Sequence, residues 1–243
     1  MHGRYGACIF VSSSLISCRF LPRNLFPCWS RTAQRRKAVN KVVLASNNRG
    51  KLREFSAILE RAHITMVAQE ELGVSEAEEP HLTFVENALA KARHASRITG
   101  LPALADDSGL SVAALDGAPG VYSARFASMA GGEKSDAANN RYLVQQLAGV
   151  EDRSACYVAV LVYLRSADDP MPVIAQGVWQ GEIVDTPKGG NGFGYDSHFF
   201  LPALGKTAAE LDPAEKNRCS HRAQALTLLL QALNDQAAAT KTS

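Results

Sequence analysis

The sequence predicts an α/β chain. Three observations carry that reading. Residues 42–45 (VVLA) form a short apolar run that leads through a polar turn into an amphipathic helical pattern. A capped helical pattern over residues 84–99 leads into a second apolar run at residues 101–105. Residues 155–164 (ACYVAVLVYL) are nearly continuously apolar, the signature of a strand buried on both faces.

With 243 residues and 46% hydrophobic content, the chain is long enough to bury a sizeable core as one domain. No run of about eighteen apolar residues is present, so no transmembrane helix is expected. The net charge of +2 hides an asymmetry: residues 1–40 carry seven Arg or Lys and no acid, leaving 19 basic against 24 acidic groups, a net of −5, in residues 41–243. A mildly acidic body argues against a nucleic-acid binder, which presents a basic face. Cys8, Cys18 and Cys28 lie near the start, and Cys156 and Cys219 are isolated. Their spacing suits neither a zinc site nor a disulfide framework, so a reducing, cytoplasmic setting is expected. Residues 1–39 read as a disordered basic extension, either an organelle transit peptide or translated sequence upstream of a start near Val39. The folded domain is expected over residues 40–236, with a disordered tail at 237–243.

Taken in order, the first strand is followed by Ser46-Asn47-Asn48-Arg49-Gly50-Lys51 and a helix with Leu52, Phe55, Ile58 and Leu59 on one face. A strand, a Gly-containing turn and a helix N-terminus make a cradle for phosphate, because unpaired amides and the helix dipole favour anions. The turn is not a P-loop: the leading Gly is absent, and Leu52 stands where a hydroxyl would hold magnesium. An ordinary strand-to-helix turn has the same outline. A second strand is expected at residues 64–68, then an acidic loop at 73–81 whose Glu76, Glu78 and Glu79 read as solvated surface. Thr83 and Glu86 form a capping box for the helix at 84–99, which stops at Gly100 and packs through Val85, Ala88, Leu89, Ala92 and Ala95. Glu86 therefore has a structural role.

The strand at 101–105 is expected to end in Asp106-Asp107-Ser108-Gly109, a turn rich in carboxylates. Adjacent side chains alternate across a strand, so only one of the two aspartates can face a given cleft. A second tight turn, Gly117-Ala118-Pro119-Gly120, brings the lone Arg125 back towards the pair, as a carboxylate cluster requires. A helix is expected over 133–147, the central strand over 155–164, and a strand or pair of strands over 173–184. Residues 189–196 (GGNGFGYD) suit a backbone that approaches a flat ligand while a ring stacks on it, or a flexible hairpin with core aromatics. The last helix packs through Leu226, Leu229, Leu230 and Leu233, and it opens with Ser220-His221-Arg222. Cationic groups at a helix N-terminus oppose the dipole, a conflict that marks a functional position.

Four separated stretches, SNNRGK, ADDSGL with GAPGVYSAR, GFGYD and SHR, then match one family in order, with TAAELDPAEK between the last two. The chain resembles the inosine/xanthosine triphosphatase family of house-cleaning purine nucleoside-triphosphate pyrophosphatases, and within it the bacterial dITP/XTP pyrophosphatases. The likeness spans residues 41–233. It implies an elongated α/β fold, a mixed β-sheet with flanking helices forming two lobes around a nucleotide cleft. It also implies Mg²⁺ dependence, a homodimer and a purine nucleoside triphosphate substrate. Carried over position by position, Ser46, Asn47, Asn48, Arg49, Gly50 and Lys51 would bind the triphosphate. Glu79 and Asp107 would coordinate Mg²⁺, with Asp107 also the proton acceptor. Ser108 would contact substrate, and Phe193, Gly194, Tyr195 and Asp196 would line the nucleoside pocket, completed by Lys216, His221 and Arg222. His221 and Arg222 are the expected donors to a 6-oxo group, and refusal of guanosine implies a further donor, a backbone N–H, facing the 2-position. The family pattern has Pro after the aspartate of GFGYD, whereas here Ser197 and His198 follow, which bears on the rigidity of the pocket's exit. A non-catalytic nucleotide-binding or sensor protein is the alternative; placing carboxylates beside a triphosphate is costly without a metal between them, which argues against it.

Overall fold

A computed structural model describes residues 41–59 and 64–239. The basic extension expected over residues 1–39 and the final residues 240–243 lie outside these. Seven strands make one mixed sheet in the order β2-β1-β3-β4-β5-β6-β7. The strands are β1 (Lys41–Leu44), β2 (Thr65–Ala68), β3 (Ala103–Val112), β4 (Ser154–Leu164), β5 (Val173–Ile183), β6 (Phe199–Leu201) and β7 (Lys206–Thr207). β1 pairs in parallel with β2 and β3, and every later pairing is antiparallel. Helices α1 (Arg49–Leu59) and α2 (Phe84–Thr99) belong to the parallel half. The remaining helices are α3 (Phe126–Met129), α4 (Asp136–Gln146), α5 (Pro213–Cys219) and α6 (His221–Ala239). α6 runs three residues into the segment expected as a disordered tail, and 173–184 is one strand rather than two.

The sequence reading is corrected at β3. The Asp106–Gly109 stretch is not a strand-terminal turn; it lies in the middle of a ten-residue strand. Every residue from Ala103 to Val112 is registered against β4, Leu164 through Ala155, so the ladder holds polar residues that favour turns locally.

Alternation along β3 then sorts its side chains. Ala103 and Ala105 pack with Ala88, Ala92 and Ala95 of α2 on one face. Leu104 points the other way, into Phe55 and Leu59 of α1 and Leu226 and Leu229 of α6. Each such fully buried Leu or Phe contributes about 1.5–3 kcal/mol. The far halves of β3, β4 and β5 carry a separate core: Leu110, Val112, Tyr157, Trp179 and Ile183 pack with Leu143 and Leu147 of the α4 region and with Phe199. Three clusters therefore share the same long strands, one on each face of the near half and one in the far half, and the polar middle of β3 lies between the halves.

α2 begins as expected, with the Thr83 hydroxyl oxygen accepting from the Glu86 amide at 3.3 Å, and ends at Gly100 with φ 67°. The seat of α6 depends on Gly177 of β5. A methyl there would collide with the His221 carbonyl oxygen and the Ala225 amide nitrogen, so only glycine lets the first turn of α6 lie directly on the sheet.

Candidate active site

The two aspartates of β3 face opposite sides of the sheet, as strand geometry requires. Asp106 is buried on the α1/α6 side. Its Oδ2 receives the Lys51 ammonium at 2.5 Å and the Ser108 hydroxyl at 3.1 Å, with Arg222 Nε at 3.7 Å. Burial alone would push its carboxyl up, but Lys51 and Arg222 hold it well below the usual range. Asp106 is thus an ionised anchor for two cations. Asp107 lies on the α2 side. Its Oδ1 accepts from Lys91 Nζ at 2.9 Å, and the same ammonium donates to Glu79 Oε1 at 2.8 Å. Arg125 Nη1 approaches Glu79 Oε2 at 3.6 Å, so the lone Arg does return to the carboxylates, on the Glu79 side. Glu79 is therefore not free surface, as the Glu run alone suggested. Asn87, fully buried on α2, holds the backbone of its loop through His81, accepting from the amide at 3.0 Å and donating to the carbonyl at 3.2 Å.

For Asp107, burial outweighs the Lys91 attraction, and the Glu79 charge adds to burial, so its pKa stands above the ordinary value. For Glu79 the balance falls the other way: burial raises it, but Lys91 and Arg125 bring it below the ordinary value. Asp107 Oδ2 is buried and, among the described residues, has no hydrogen-bond partner. An orphaned buried carboxylate oxygen is an acceptor awaiting a cation or a proton donor.

Across the cleft stands the 46–51 turn, which lines a cavity of about 620 Å³ together with Glu79, Lys91, Asp106 and Arg125. Asn48 caps α1: its Oδ1 accepts from the amides of Gly50 at 2.9 Å and Lys51 at 3.2 Å. The Gly50 and Lys51 amides, expected to be open for phosphate, are thus occupied by the Asn48 carboxamide. The Ser46 hydroxyl oxygen accepts from the Asn48 amide, and Asn47 Oδ1 accepts from Gln69 Nε2 at 3.0 Å. The Arg49 side chain falls outside the described residues.

A smaller cavity of about 170 Å³ adjoins the first and is lined by Ser108, Tyr157, the 193–196 segment, His221 and Arg222. Arg222 Nη2 donates to Ser108 Oγ at 2.9 Å, and its guanidinium lies 5.3 Å from the Phe193 ring centre. Lys216 Nζ donates to Asp196 Oδ2 at 2.7 Å and sits 5.2 Å from the same ring. The edge of Phe193 rests on Gly50, where a methyl would stand 2.8 Å from Cε1, so the ring ties the 46–51 turn to the smaller cavity. The His221 ring stacks on Tyr157 at 4.7 Å, and neither of its nitrogens has a partner among the described residues. Burial first, then the neighbouring Arg222, push its pKa well below the usual value, so the ring is neutral, with one donor and one acceptor.

A Ham1 family model matches residues 42–232. The chain belongs to the Ham1 family. A Burkholderia pseudomallei protein named dITP/XTP pyrophosphatase is 69% identical over 198 residues, covering 82% of this chain and 95% of that one. A Ralstonia nicotianae protein of the same name is 67% identical over 195 residues, covering 80% and 97%. The solved structure of a HAM1 protein from Coxiella burnetii superposes with TM-score 0.74 at 48% identity, covering 80% of this chain and 98% of the other.

Within this Ham1 chain the pocket's exit is held despite the missing Pro. His198 Nδ1 donates to the Val184 carbonyl at 2.7 Å, and the His198 and Phe199 amides both donate to the Tyr195 carbonyl at 3.0 Å. Three amides of the 193–196 segment are already engaged: Phe193 N with Asp196 Oδ2 at 2.9 Å, Gly194 N with Asp136 Oδ2 at 2.7 Å and Asp196 N with the Phe193 carbonyl at 3.3 Å. Lys91 is the main residue that sequence reasoning missed. It stands three residues after Ala88 and four before Ala95, inside the buried alanine stripe of α2, and a lysine in an apolar stripe is a readable signal.

Proposed function

We infer that this chain hydrolyses the triphosphates of 6-oxopurines, dITP and ITP, XTP and dXTP, to the nucleoside monophosphate and pyrophosphate, clearing them from the nucleotide pool. The observation that carries the reading is Asp107: a buried carboxylate with one oxygen orphaned and its pKa raised, paired with Lys91, which together with Glu79 lines the cavity walled by the Lys51 turn. Relatives that share most of this chain bear the matching name. Phosphoryl transfer asks a protein mainly for positioning and charge neutralisation. Asp107 accepts the proton of the attacking water, a task that suits a carboxylate raised towards neutrality. Lys51 has three donors, of which Asp106 takes one, and the others neutralise charge on the departing pyrophosphate.

Mg²⁺ belongs to this proposal. The donor set fits it: magnesium takes one or two carboxylates and completes its shell with water and substrate phosphates. Glu79 and Asp107 supply two carboxylates, and no cluster of three ligating side chains exists among the described residues. When bound, the ion would neutralise phosphate charge and acidify a water. Arg222, which can only donate, and the neutral His221 suit a 6-oxo acceptor and disfavour a 6-amino donor, while Phe193 covers the base. The family likeness extends the proposal to a homodimer in the cytoplasm. No helix among the described residues is long and apolar enough to cross a membrane.

The test is pyrophosphate release from ITP, XTP, GTP and ATP, with Mg²⁺ and with chelator. The reading requires Mg²⁺-dependent turnover of ITP and XTP, with GTP and ATP slower by about 10² or more. Nucleotide binding without turnover would instead support the sensor alternative.

A further inference from the structure

α4 contributes nothing to the phosphate side of the cleft, yet two of its side chains reach the nucleoside side. Asp136 and Asn140 stand four residues apart, on one face of the helix. Asp136 Oδ2 accepts from the Gly194 amide at 2.7 Å, and Asn140 Nδ2 donates to the Gly194 carbonyl at 2.8 Å. One helix thus holds both polar groups of a single residue. We propose that Asp136 and Asn140 are positioning residues that fix Gly194 and thereby set the neighbouring Phe193 ring across the nucleoside pocket. The proposal rests on the reading of that pocket given above.

The surrounding loop explains why such a hold is needed. Four of the six residues 189–194 are glycine, the residue with most backbone freedom to lose. Gly194 adopts φ 63°, and with no side chain of its own it can be oriented only through its backbone. The loop is anchored on both sides by other bonds. Asn191 is tied to the Ala209 and Leu211 carbonyls at 3.0 Å each, and the Tyr195 hydroxyl donates to the Ser123 carbonyl at 2.8 Å. Removing the α4 contacts therefore leaves the loop attached but takes away both of these bonds to the Gly194 backbone, so Phe193 is then held only from its other side, by the Asp196 carboxylate and amide. α4 is itself a firm base. The Ser135 hydroxyl caps it, Asn139 Oδ1 accepts from the Ala127 amide at 2.9 Å, and Leu143 is fully buried.

The experiment uses the full chain and the variants Asp136→Ala, Asp136→Asn, Asn140→Ala and the double alanine. kcat and KM are measured for ITP and ATP, with the melting temperature and the hydrogen exchange of the Gly194 amide by NMR. Each single alanine variant is expected to raise KM for ITP about tenfold, the scale of one charge-assisted hydrogen bond, while kcat changes less than about threefold. The ITP-to-ATP ratio of kcat/KM narrows, and Tm stays within about 4 °C of the parent. Asp136→Asn keeps an acceptor and recovers most of the loss. The double variant is little worse than either single one, because both act on one residue. An unchanged KM, a kcat loss equal for both nucleotides, or losses that multiply in the double variant would overturn the proposal. If the parent fails to hydrolyse ITP, the functional reading fails separately. The Gly194 amide still decides: slow exchange that becomes fast in Asp136→Ala supports the clamp, and exchange unaffected by the substitution refutes it.

Discussion

Replacing Lys91 with Met removes one ammonium while keeping most of the side-chain volume, so Asp107 loses its ion-pair partner and Glu79 is left with the more distant Arg125 at 3.6 Å. Lys91 Nζ lies 2.9 Å from Asp107 and 2.8 Å from Glu79, with 11% of the side chain exposed. Removing one partner of a buried pair costs about 3–5 kcal/mol, and because the Glu79 side chain is 31% exposed and screened, we expect about 2–3 kcal/mol at neutral pH. The sign with pH follows from Asp107, whose pKa is already raised by burial and is held down by Lys91. Without the lysine it rises further. A raised carboxylate favours folding below its unfolded pKa and disfavours it as pH climbs through the folded one. The stability deficit of Lys91→Met is therefore largest at neutral and alkaline pH and shrinks as pH falls towards 4. In kinetics, the acid limb of kcat/KM reports deprotonation of the base in the free enzyme, so it should move to higher pH by about one unit or more. Urea midpoints from pH 4 to 8 and a kcat/KM profile over the same range measure both effects. An acid limb that stays in place, with a pH-independent stability change, would refute the coupling of Lys91 to Asp107.

Asp107→Asn keeps the shape and removes the proton acceptor, so kcat should fall about a hundredfold or more with Tm nearly unchanged; retention of a tenth of the activity, only about 1.4 kcal/mol of barrier, would contradict its role. Arg222→Ala should lower kcat/KM for ITP and XTP strongly and collapse the ITP-to-ATP ratio. A uniform fall with the ratio preserved would mean that Arg222 grips phosphate or sugar. Gly177→Ala drives a methyl into the first turn of α6 and should destabilise the fold by about 1–3 kcal/mol or more; a neutral effect on the urea midpoint would show that α6 can shift without cost.

Much of this architecture is legible in local pattern. The first strand–turn–helix unit, the Thr83 cap and the Leu226 face of α6 follow from periodicity and capping chemistry. The His221-Arg222 pair stands out in sequence as two basic residues at a helix start, and the structure buries both, with Arg222 donating to Ser108 and His221 held neutral. What the sequence hides is decided at long range. Asp-Asp-Ser-Gly has the composition of a turn, and only ten residues of pairing with β4 make it mid-strand. The division of labour between Asp106 and Asp107 depends on which helix covers each face of β3. The Asp136–Asn140 hold on Gly194 links positions more than fifty residues apart and leaves no local trace. Lys91 is the exception: its place in the alanine stripe of α2 is local, and it is overlooked only when helical lysines are read as solvated.

The central claim is that water attacks the α-phosphate from the Asp107 side while the Lys51 turn holds pyrophosphate as the leaving group. A single turnover of ITP in ¹⁸O-labelled water, with products resolved by mass, tests it directly. Equal amounts of IMP and pyrophosphate are expected, with the label in IMP and none in pyrophosphate. Label in pyrophosphate, or IDP and phosphate as products, would contradict it.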